Sequence, residues 1–225
     1  MSLMSADDQE RLRHDFTAMT RPVRLVFFTR ADDCDTCAQA RQVIDELPAL
    51  SSRITIEDVD FSAERDKAYA YGIDHVPAIA LIGEDADGLE RDSHIRFIGT
   101  PSGYEFISLI RAVLLVGTGN VQLLDDSRAL VAAVNAPMTM HVFTTPSCAY
   151  CPRAVILAHE MAYLNSNITA YAVEATEFPE LARRFRVSGV PKTVVDSGVE
   201  ILGALPEPEF VQQALAAPAA PPPEH

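Results

Sequence analysis

The sequence predicts an α/β fold made of two similar units in tandem, and three observations support this prediction. A run of β-branched and aromatic residues leads into a Cys-x-x-Cys motif twice, at Cys34–Cys37 and at Cys148–Cys151. The motifs lie 114 positions apart, and the Val-Pro pairs downstream of them keep the same offset. Each copy also alternates segments of helix and strand character, as α/β domains do.

The first unit opens with a helical pattern over 7–19, where apolar residues recur at helical spacing. Val23–Thr29 is a nearly continuous apolar run of good strand formers, which indicates a strand buried on both faces. The rest of the unit continues the alternation. We predict further helices over 38–47, 64–71 and 103–115, and further strands over 54–61, 78–82 and 94–98.

The second unit repeats this order after a linker at 117–120. The linker contains Gly-x-Gly, but a dinucleotide fingerprint needs a third glycine and a preceding strand, and both are missing. From Gly99 and Gly203 onward the offset falls to 104, so the second unit has a shorter counterpart of the loop at 83–89. We predict helices over 123–134, 152–164, 179–185 and 207–216, and strands over 139–144, 169–174, 193–195 and 199–202.

The chain has 225 residues, which is enough for two domains of a common size. We assign 5–117 to the first unit and 118–217 to the second. The remaining segment, 218–225, is rich in proline, and we expect it to be disordered.

Cysteine usage and charge restrict the compartment and the partners. All four cysteines belong to the two motifs, so none links distant elements, and this usage fits a reducing cytoplasm. We find neither a signal peptide nor an apolar run long enough to span a membrane. The formal net charge of −14 argues against binding to nucleic acid, because phosphates would be repelled.

Both Cys-x-x-Cys motifs suit redox chemistry. Each is predicted to lie at the start of a helix, where free N–H groups and the helix dipole favour a thiolate. Two intervening residues bring the thiols together, so we predict disulfides Cys34–Cys37 and Cys148–Cys151. The alternative is a structural zinc site with four thiolates. It would require the pairs to converge, although each has its own strand, helix and Val-Pro loop.

Asp60 and Glu174 occupy matching positions at strand ends. A carboxylate there can accept the proton of the second thiol of its motif. A solvated acid at the end of a strand is the alternative. The six histidines show no metal-ligand spacing, and we expect no metal and no cofactor.

The segments 143–152 and 189–193 carry a resemblance that extends over nearly the whole chain. The chain resembles the glutaredoxin-like protein disulfide oxidoreductases, which have two tandem thioredoxin-fold units. The resemblance implies two thioredoxin-like domains, each a central mixed sheet flanked by helices. It also implies thiol–disulfide exchange with protein substrates. In that exchange the attacking cysteines are Cys34 and Cys148, and the resolving cysteines are Cys37 and Cys151.

The same resemblance implies roles for the two Val-Pro loops. Pro77 and Pro191 are expected to be cis and to face the cysteine pairs, so that Val76 and Val190 present their backbone to a substrate strand. One departure lies in the first motif. Its intervening residues, Asp35 and Thr36, follow two further aspartates, an acidic setting that weakens the oxidising power of this site.

We therefore predict an enzyme that reduces or isomerises protein disulfides through both motifs. One alternative is an electron-relay component dedicated to a peroxidase-type enzyme, and another is a zinc-binding scaffold without turnover. Because the chain has no flavin or nicotinamide fingerprint, its electrons should come from a thioredoxin reductase or from glutathione.

The two sites should differ in thiol acidity. Carboxylates oppose a thiolate and cations favour it, so local charge decides which attacking cysteine is the more acidic. Near Cys148 the chain has Arg153 and Lys192, where the first unit has uncharged residues. We predict that Cys148 is the more acidic thiol. The carboxylates near Cys34 are those of Asp32, Asp33, Asp35 and Asp74.

Overall fold

The computed structural model describes residues 4–85 and 87–216, so the predicted disordered tail at 218–225 lies outside the described residues. Within this range the helices are α1 (Ala6–Phe16), α2 (Cys37–Asp45), α3 (Arg65–Ala70), α4 (Glu105–Thr118), α5 (Asp125–Ala132), α6 (Cys151–Leu164), α7 (Pro179–Arg184) and α8 (Glu207–Ala214). The strands are β1 (Val23–Thr29), β2 (Ile54–Asp60), β3 (Ala78–Glu84), β4 (Glu90–Ile98), β5 (Met138–Thr144), β6 (Ile168–Glu174), β7 (Lys192–Val195) and β8 (Glu200–Leu202).

Each predicted helix and strand has a counterpart at nearly the same position. The largest difference is the hairpin of β3 and β4, which is longer than predicted. Its arms continue past the apolar residues because the backbone ladder extends to the pair Glu84 and Glu90. A salt bridge from Arg24 on β1 to Glu90 supports this polar end of the hairpin.

All eight strands of the described residues form one mixed sheet in the order β2-β1-β3-β4-β6-β5-β7-β8. In the first half β1 is parallel to β2 and antiparallel to β3, and β5 has the same relation to β6 and β7. The halves meet where β4 runs parallel to β6, with Ile95 opposite Ala170 and Ile98 opposite Val173. The sequence did not indicate this junction, which pairs two strands that would otherwise be open sheet edges.

The central strand of the first half is buried on both faces, as its apolar run predicts. Leu25 and Phe27 belong to one hydrophobic cluster, and the alternate residues Val26 and Phe28 belong to the cluster on the other face. Both clusters contain residues from both halves, so the core continues across the junction. Among the described residues, no helix has the length and apolar character needed to cross a membrane.

Candidate active sites

The first Cys-x-x-Cys motif joins β1 to α2. Thr36 is the N-cap of α2 and Cys37 is the first helical residue. Cys34 is half-buried, whereas Cys37 is only 6% exposed. The two form a disulfide with a Cα–Cα distance of 5.5 Å, so the first cysteine is the one that a partner can reach.

The second motif repeats this arrangement between β5 and α6. Cys148 is half-buried, Cys151 is fully buried at the first position of α6, and their disulfide has a Cα–Cα distance of 5.5 Å. The backbone N–H of Cys151 also donates a hydrogen bond to Cys148 Sγ, at 3.1 Å. Among the described residues no backbone N–H donates to Cys34 Sγ. The helix N-terminus therefore contacts the sulfur directly in the second site.

The two Val-Pro loops lie at the same sheet edge as the motifs. Ala78, which follows Pro77, is opposite Phe28 at the end of β1, and Lys192 is opposite Phe143 in the same way. Both Val-Pro peptide bonds are cis. The proline carbonyls accept hydrogen bonds from Gly99 N at 2.8 Å and from Gly203 N at 2.9 Å. The sheet thus places each loop beside the motif of its own half.

The strand-end acids differ, although they occupy equivalent positions. Asp60 is exposed, and its Oδ1 accepts hydrogen bonds from the backbone N–H groups of Ser62 and Ala63. Glu174 is 4% exposed, and its oxygens accept bonds from Thr176 and from Glu177 N. Both carboxylates therefore hold the turn that follows their strand.

Glu105 is a candidate that the sequence analysis missed. It is the first residue of α4 and is 3% exposed, and neither of its oxygens makes a hydrogen bond of ordinary geometry within the described residues. Desolvation raises the pKa of Glu105 to about 7. In the sequence this acid resembled an ordinary charge in the first turn of a helix. Its burial depends on the other half of the chain.

The surroundings of Glu105 belong partly to the second site. With Thr144 and Glu174 it lines a small cavity of about 10 Å³. Thr144 ends β5, the strand that leads into the second motif. Just before α4, Tyr104 N donates to Pro146 O at 3.0 Å, two residues ahead of Cys148. The start of α4, in the first half, therefore packs against the second motif.

A reciprocal contact reaches the first site from the loop after β6, at 175–178. Thr36 Oγ1 donates to Glu177 Oε2 at 2.6 Å, and Thr100 N donates to Glu177 Oε1 at 2.9 Å. The ring of Phe178 packs roughly perpendicular to that of His75, which precedes the first Val-Pro loop, at a centroid distance of 5.4 Å. Each site thus includes residues from both halves.

The charges near the cysteines partly differ from the sequence-based expectation. Lys192 was expected to act on Cys148, but its ammonium group is buried and lies 2.9 Å from Glu200. It also donates to two backbone carbonyls of the α7 region, so its charge is already compensated. In the first site Asp33 pairs with Arg30, and a hydrogen bond from His75 lowers the pKa of Asp74. The acidity argument therefore depends on the remaining carboxylates and on Arg153.

Residues 138–216 match the family model described as a thioredoxin domain. A probable thioredoxin of Methanothermobacter thermautotrophicus is 34% identical over 89 residues, which cover 39% of this chain and 92% of that protein. The alkyl hydroperoxide reductase protein AhpF of Pseudomonas putida is 25% identical over 221 residues, or 94% of this chain. The chain spans only 39% of the length of that relative.

Two solved structures match nearly the whole chain. The N-terminal domain of the alkyl hydroperoxide reductase AhpF from Enterococcus faecalis has a TM-score of 0.85 and 28% identity, covering 95% of this chain and 100% of that one. A protein disulfide oxidoreductase from Aeropyrum pernix has a TM-score of 0.83 and 25% identity, covering 93% and 91%. The chain belongs to the thioredoxin family, and it has two thioredoxin-fold units in tandem, each with a Cys-x-x-Cys disulfide.

Proposed function

We propose that this protein is a thiol–disulfide oxidoreductase that reduces disulfides in partner proteins, and that Cys148 carries most of the attack. The observation that carries the proposal is the arrangement of both pairs at helix starts, each with an accessible first cysteine and a buried second one. An accessible thiolate can attack a partner, while a buried thiol is reserved for the intramolecular step. The hydrogen bond from Cys151 N to Cys148 Sγ would stabilise a thiolate at Cys148, and for this reason we assign most of the attack to the second pair.

In the proposed cycle the reduced pair supplies two electrons. The Cys148 thiolate attacks one sulfur of the partner's disulfide, so that an S–S bond forms to Cys148 and the other partner sulfur leaves as a thiolate. Cys151 then loses its proton and attacks Cys148 Sγ, which releases the second partner thiolate and closes the Cys148–Cys151 disulfide. The donor must return both electrons, either from one dithiol of a reductase, which becomes a disulfide, or from two glutathione molecules, which leave as glutathione disulfide. Thioredoxin reductase and glutathione are the donors that we propose.

The proton of Cys151 needs an acceptor, and we propose Glu105 for this role rather than Glu174. Glu174 already accepts hydrogen bonds from Thr176 and Glu177, whereas Glu105 has only the neighbouring Ser108 hydroxyl as a side-chain donor among the described residues and has a pKa of about 7. A pKa near the working pH lets a carboxyl group accept and return a proton at similar cost. For the first site we propose Asp60 as the acceptor of the Cys37 proton. The alternative for this exposed carboxylate is a purely structural role in the turn after β2.

We propose that the protein partner binds across the Val-Pro loop and the exposed aromatic residues of the second site. Val76 and Val190 are half-buried beside their motifs, where their backbone would meet an extended segment of the partner. Tyr150, within the second motif, is 75% exposed, and Tyr104 is 46% exposed. Exposed aromatic side chains next to a reactive thiol are suited to protein recognition.

Reduction of insulin tests the proposal. The chain should accelerate insulin reduction by dithiothreitol, and then by a thioredoxin reductase with its nicotinamide or by glutathione. Activity with only one of these donors identifies the class of electron donor that the protein uses. A folded, fully reduced chain that leaves insulin unreduced with every donor would remove general disulfide reduction from consideration.

A second candidate function is the relay of electrons to a peroxidase. It is favoured by the similarity to the alkyl hydroperoxide reductase AhpF, which extends over almost the entire chain. In that role the reduced chain would pass electrons to a peroxidase protein and would react poorly with insulin. Oxidation of the chain by an alkyl hydroperoxide only when a thiol peroxidase is present would favour the relay. Both roles are compatible with the cytoplasmic location that we propose from cysteine usage.

A further inference from the structure

Glu177 lies in the second half of the chain, yet its carboxylate contacts the first redox motif. Thr36, which donates to Glu177 Oε2, is the residue between Asp35 and Cys37, so the contact lies inside the motif. Thr100 N donates to the other oxygen at 2.9 Å. Both partners are donors, and a carboxylate, which is acceptor-only when ionised, satisfies both.

The loop that carries Glu177 is held firmly in this position. Glu177 N donates to Glu174 Oε2 at 2.6 Å, and Glu174 itself is buried at the end of β6. Gly99, after β4, leaves room for the loop, because a Cβ there would lie 2.7 Å from Glu174 Cβ and 3.4 Å from Glu177 Cδ. The φ of +94° at Gly99 is also one that glycine adopts readily. The carboxylate is therefore placed by the junction between the halves.

We infer that Glu177 is a positioning residue through which the second half makes the first cysteine pair more reducing. The inference rests on the proposed redox function of that pair. A half-buried negative charge next to the N-cap of α2 opposes the effect of the helix N-terminus on the Cys34 thiolate. A destabilised thiolate raises the pKa of Cys34 and disfavours the reduced pair relative to the disulfide. The hydrogen bond to Thr36 keeps the charge in place.

The test compares Glu177→Gln with wild type in the full-length chain. Alkylation of reduced protein by iodoacetamide at a series of pH values, with each cysteine peptide quantified by mass spectrometry, gives the pKa of Cys34 and of Cys148 in one sample. We expect the Cys34 pKa to fall by about half a unit to one unit and that of Cys148 to stay within about 0.2 units. Equilibration with glutathione should then show the first disulfide about three- to tenfold easier to reduce.

Glu180→Gln is the matched control, because Glu180 is an exposed acid three residues farther along that pairs with Arg183. This variant should leave the pKa values of Cys34 and Cys148 unchanged. Glu177→Ala also removes the charge, so it must lower the pKa of Cys34 as well. This second variant keeps the test valid if the glutamine variant folds poorly.

The outcomes separate this inference from the proposed function. If the first pair exchanges with glutathione but both Glu177 variants match wild type, or if both cysteines shift equally, the inference is overturned. If the first pair does not exchange with glutathione in the wild-type protein, the redox function of that site fails instead.

Discussion

Asp60 is exposed at the end of β2, whereas its counterpart Glu174 is 4% exposed at the end of β6. The helices that follow the motifs differ too, since α2 has 9 residues and α6 has 14. The two motifs also differ in the charge of the residues around them. The first motif contains Asp35 and contacts Glu177, whereas the second contains the exposed Tyr150. A repeated backbone therefore holds two sites of different chemistry.

The difference arises at the junction between the halves. Because β4 pairs with β6, the segment after β4 reaches the second motif and the segment after β6 reaches the first. The second site receives Glu105, which is buried with the Ser108 hydroxyl beside it, and the first site receives Glu177, which is held by two donors. An internal repeat can thus diverge in function through exchanged contacts, without loss of either Cys-x-x-Cys pair.

The largest expected effect separates the two attacking cysteines. Cys148→Ser should lower disulfide reduction by about 100-fold or more, because the serine hydroxyl cannot replace the thiolate as nucleophile. Cys34→Ser should leave activity within about threefold of wild type. Insulin reduction driven by dithiothreitol measures both variants under one condition.

The same variants assayed with a reductase as donor sharpen this comparison. If Cys34→Ser is inactive with the reductase but active with dithiothreitol, electrons enter through the first pair. Equal losses in both variants with dithiothreitol would contradict the proposal that the second site dominates.

Glu105→Gln should slow reduction at the second site by about tenfold, because the amide cannot accept the proton of Cys151. It should also change the pH dependence of stability. The folded-state pKa of Glu105, about 7, is above its ordinary value of 4.5, so its favourable contribution is complete below pH 4.5 and is lost as the pH rises through 7. Above pH 7 the variant should be more stable than wild type by up to about 3 kcal/mol.

Urea unfolding and insulin reduction, each followed from pH 5 to 9, measure these two effects. Glu84→Gln is a suitable control, because Glu84 lies at the far end of the β3–β4 hairpin and is half-buried. A Glu105→Gln variant with wild-type rates at every pH would rule out Glu105 as the proton acceptor.

The sequence predicted the elements well, and the reasons are local. The apolar run Val23–Thr29 and the repeat offset locate the strands, and the Cys-x-x-Cys spacing locates the pairs, because each signal lies within a short segment. The positions of Glu105 and Glu177 beside the two motifs could not be found in this way. Their positions depend on the pairing of β4 with β6, a contact between residues about 75 positions apart that no local pattern encodes.

Lys192 shows a second limit of sequence-based prediction, which concerns the direction of a side chain. The repeat alignment placed its charge near Cys148, but the direction of a side chain depends on the packing around it. Its ammonium group instead meets Glu200 on the neighbouring strand β8. A correct position in the sequence thus did not reveal that the charge of Lys192 is shared with Glu200.

Gly103→Ala should disrupt the contact between the start of α4 and the second motif. Gly103 has a φ of +59°, and a Cβ there would lie 2.3 Å from Pro146 O. Strain and steric overlap together should cost about 2–4 kcal/mol and reduce activity at the second site. Gly203→Ala is the control, because its φ is +81° but no atom lies within 4 Å of its Cβ position. It should cost about 1 kcal/mol, so similar losses of stability would contradict the role of the close contact.

The smallest expected effect is a difference in thiol pKa between the two attacking cysteines of wild-type protein. Both precede a helix N-terminus, so the local donors and charges decide which thiolate is more stable. Cys148 Sγ accepts a hydrogen bond from Cys151 N, whereas Cys34 lies near Asp35 and the Glu177 carboxylate. Cys148 should therefore have the lower pKa, by about one unit or roughly 1.4 kcal/mol. Iodoacetamide labelling at low and at high salt measures the difference and its origin. Salt screens exposed charges, so the gap should narrow as salt increases. A lower pKa at Cys34 would reverse the assignment of the two sites, and a gap that salt does not change would attribute the difference to the hydrogen bond rather than to charge.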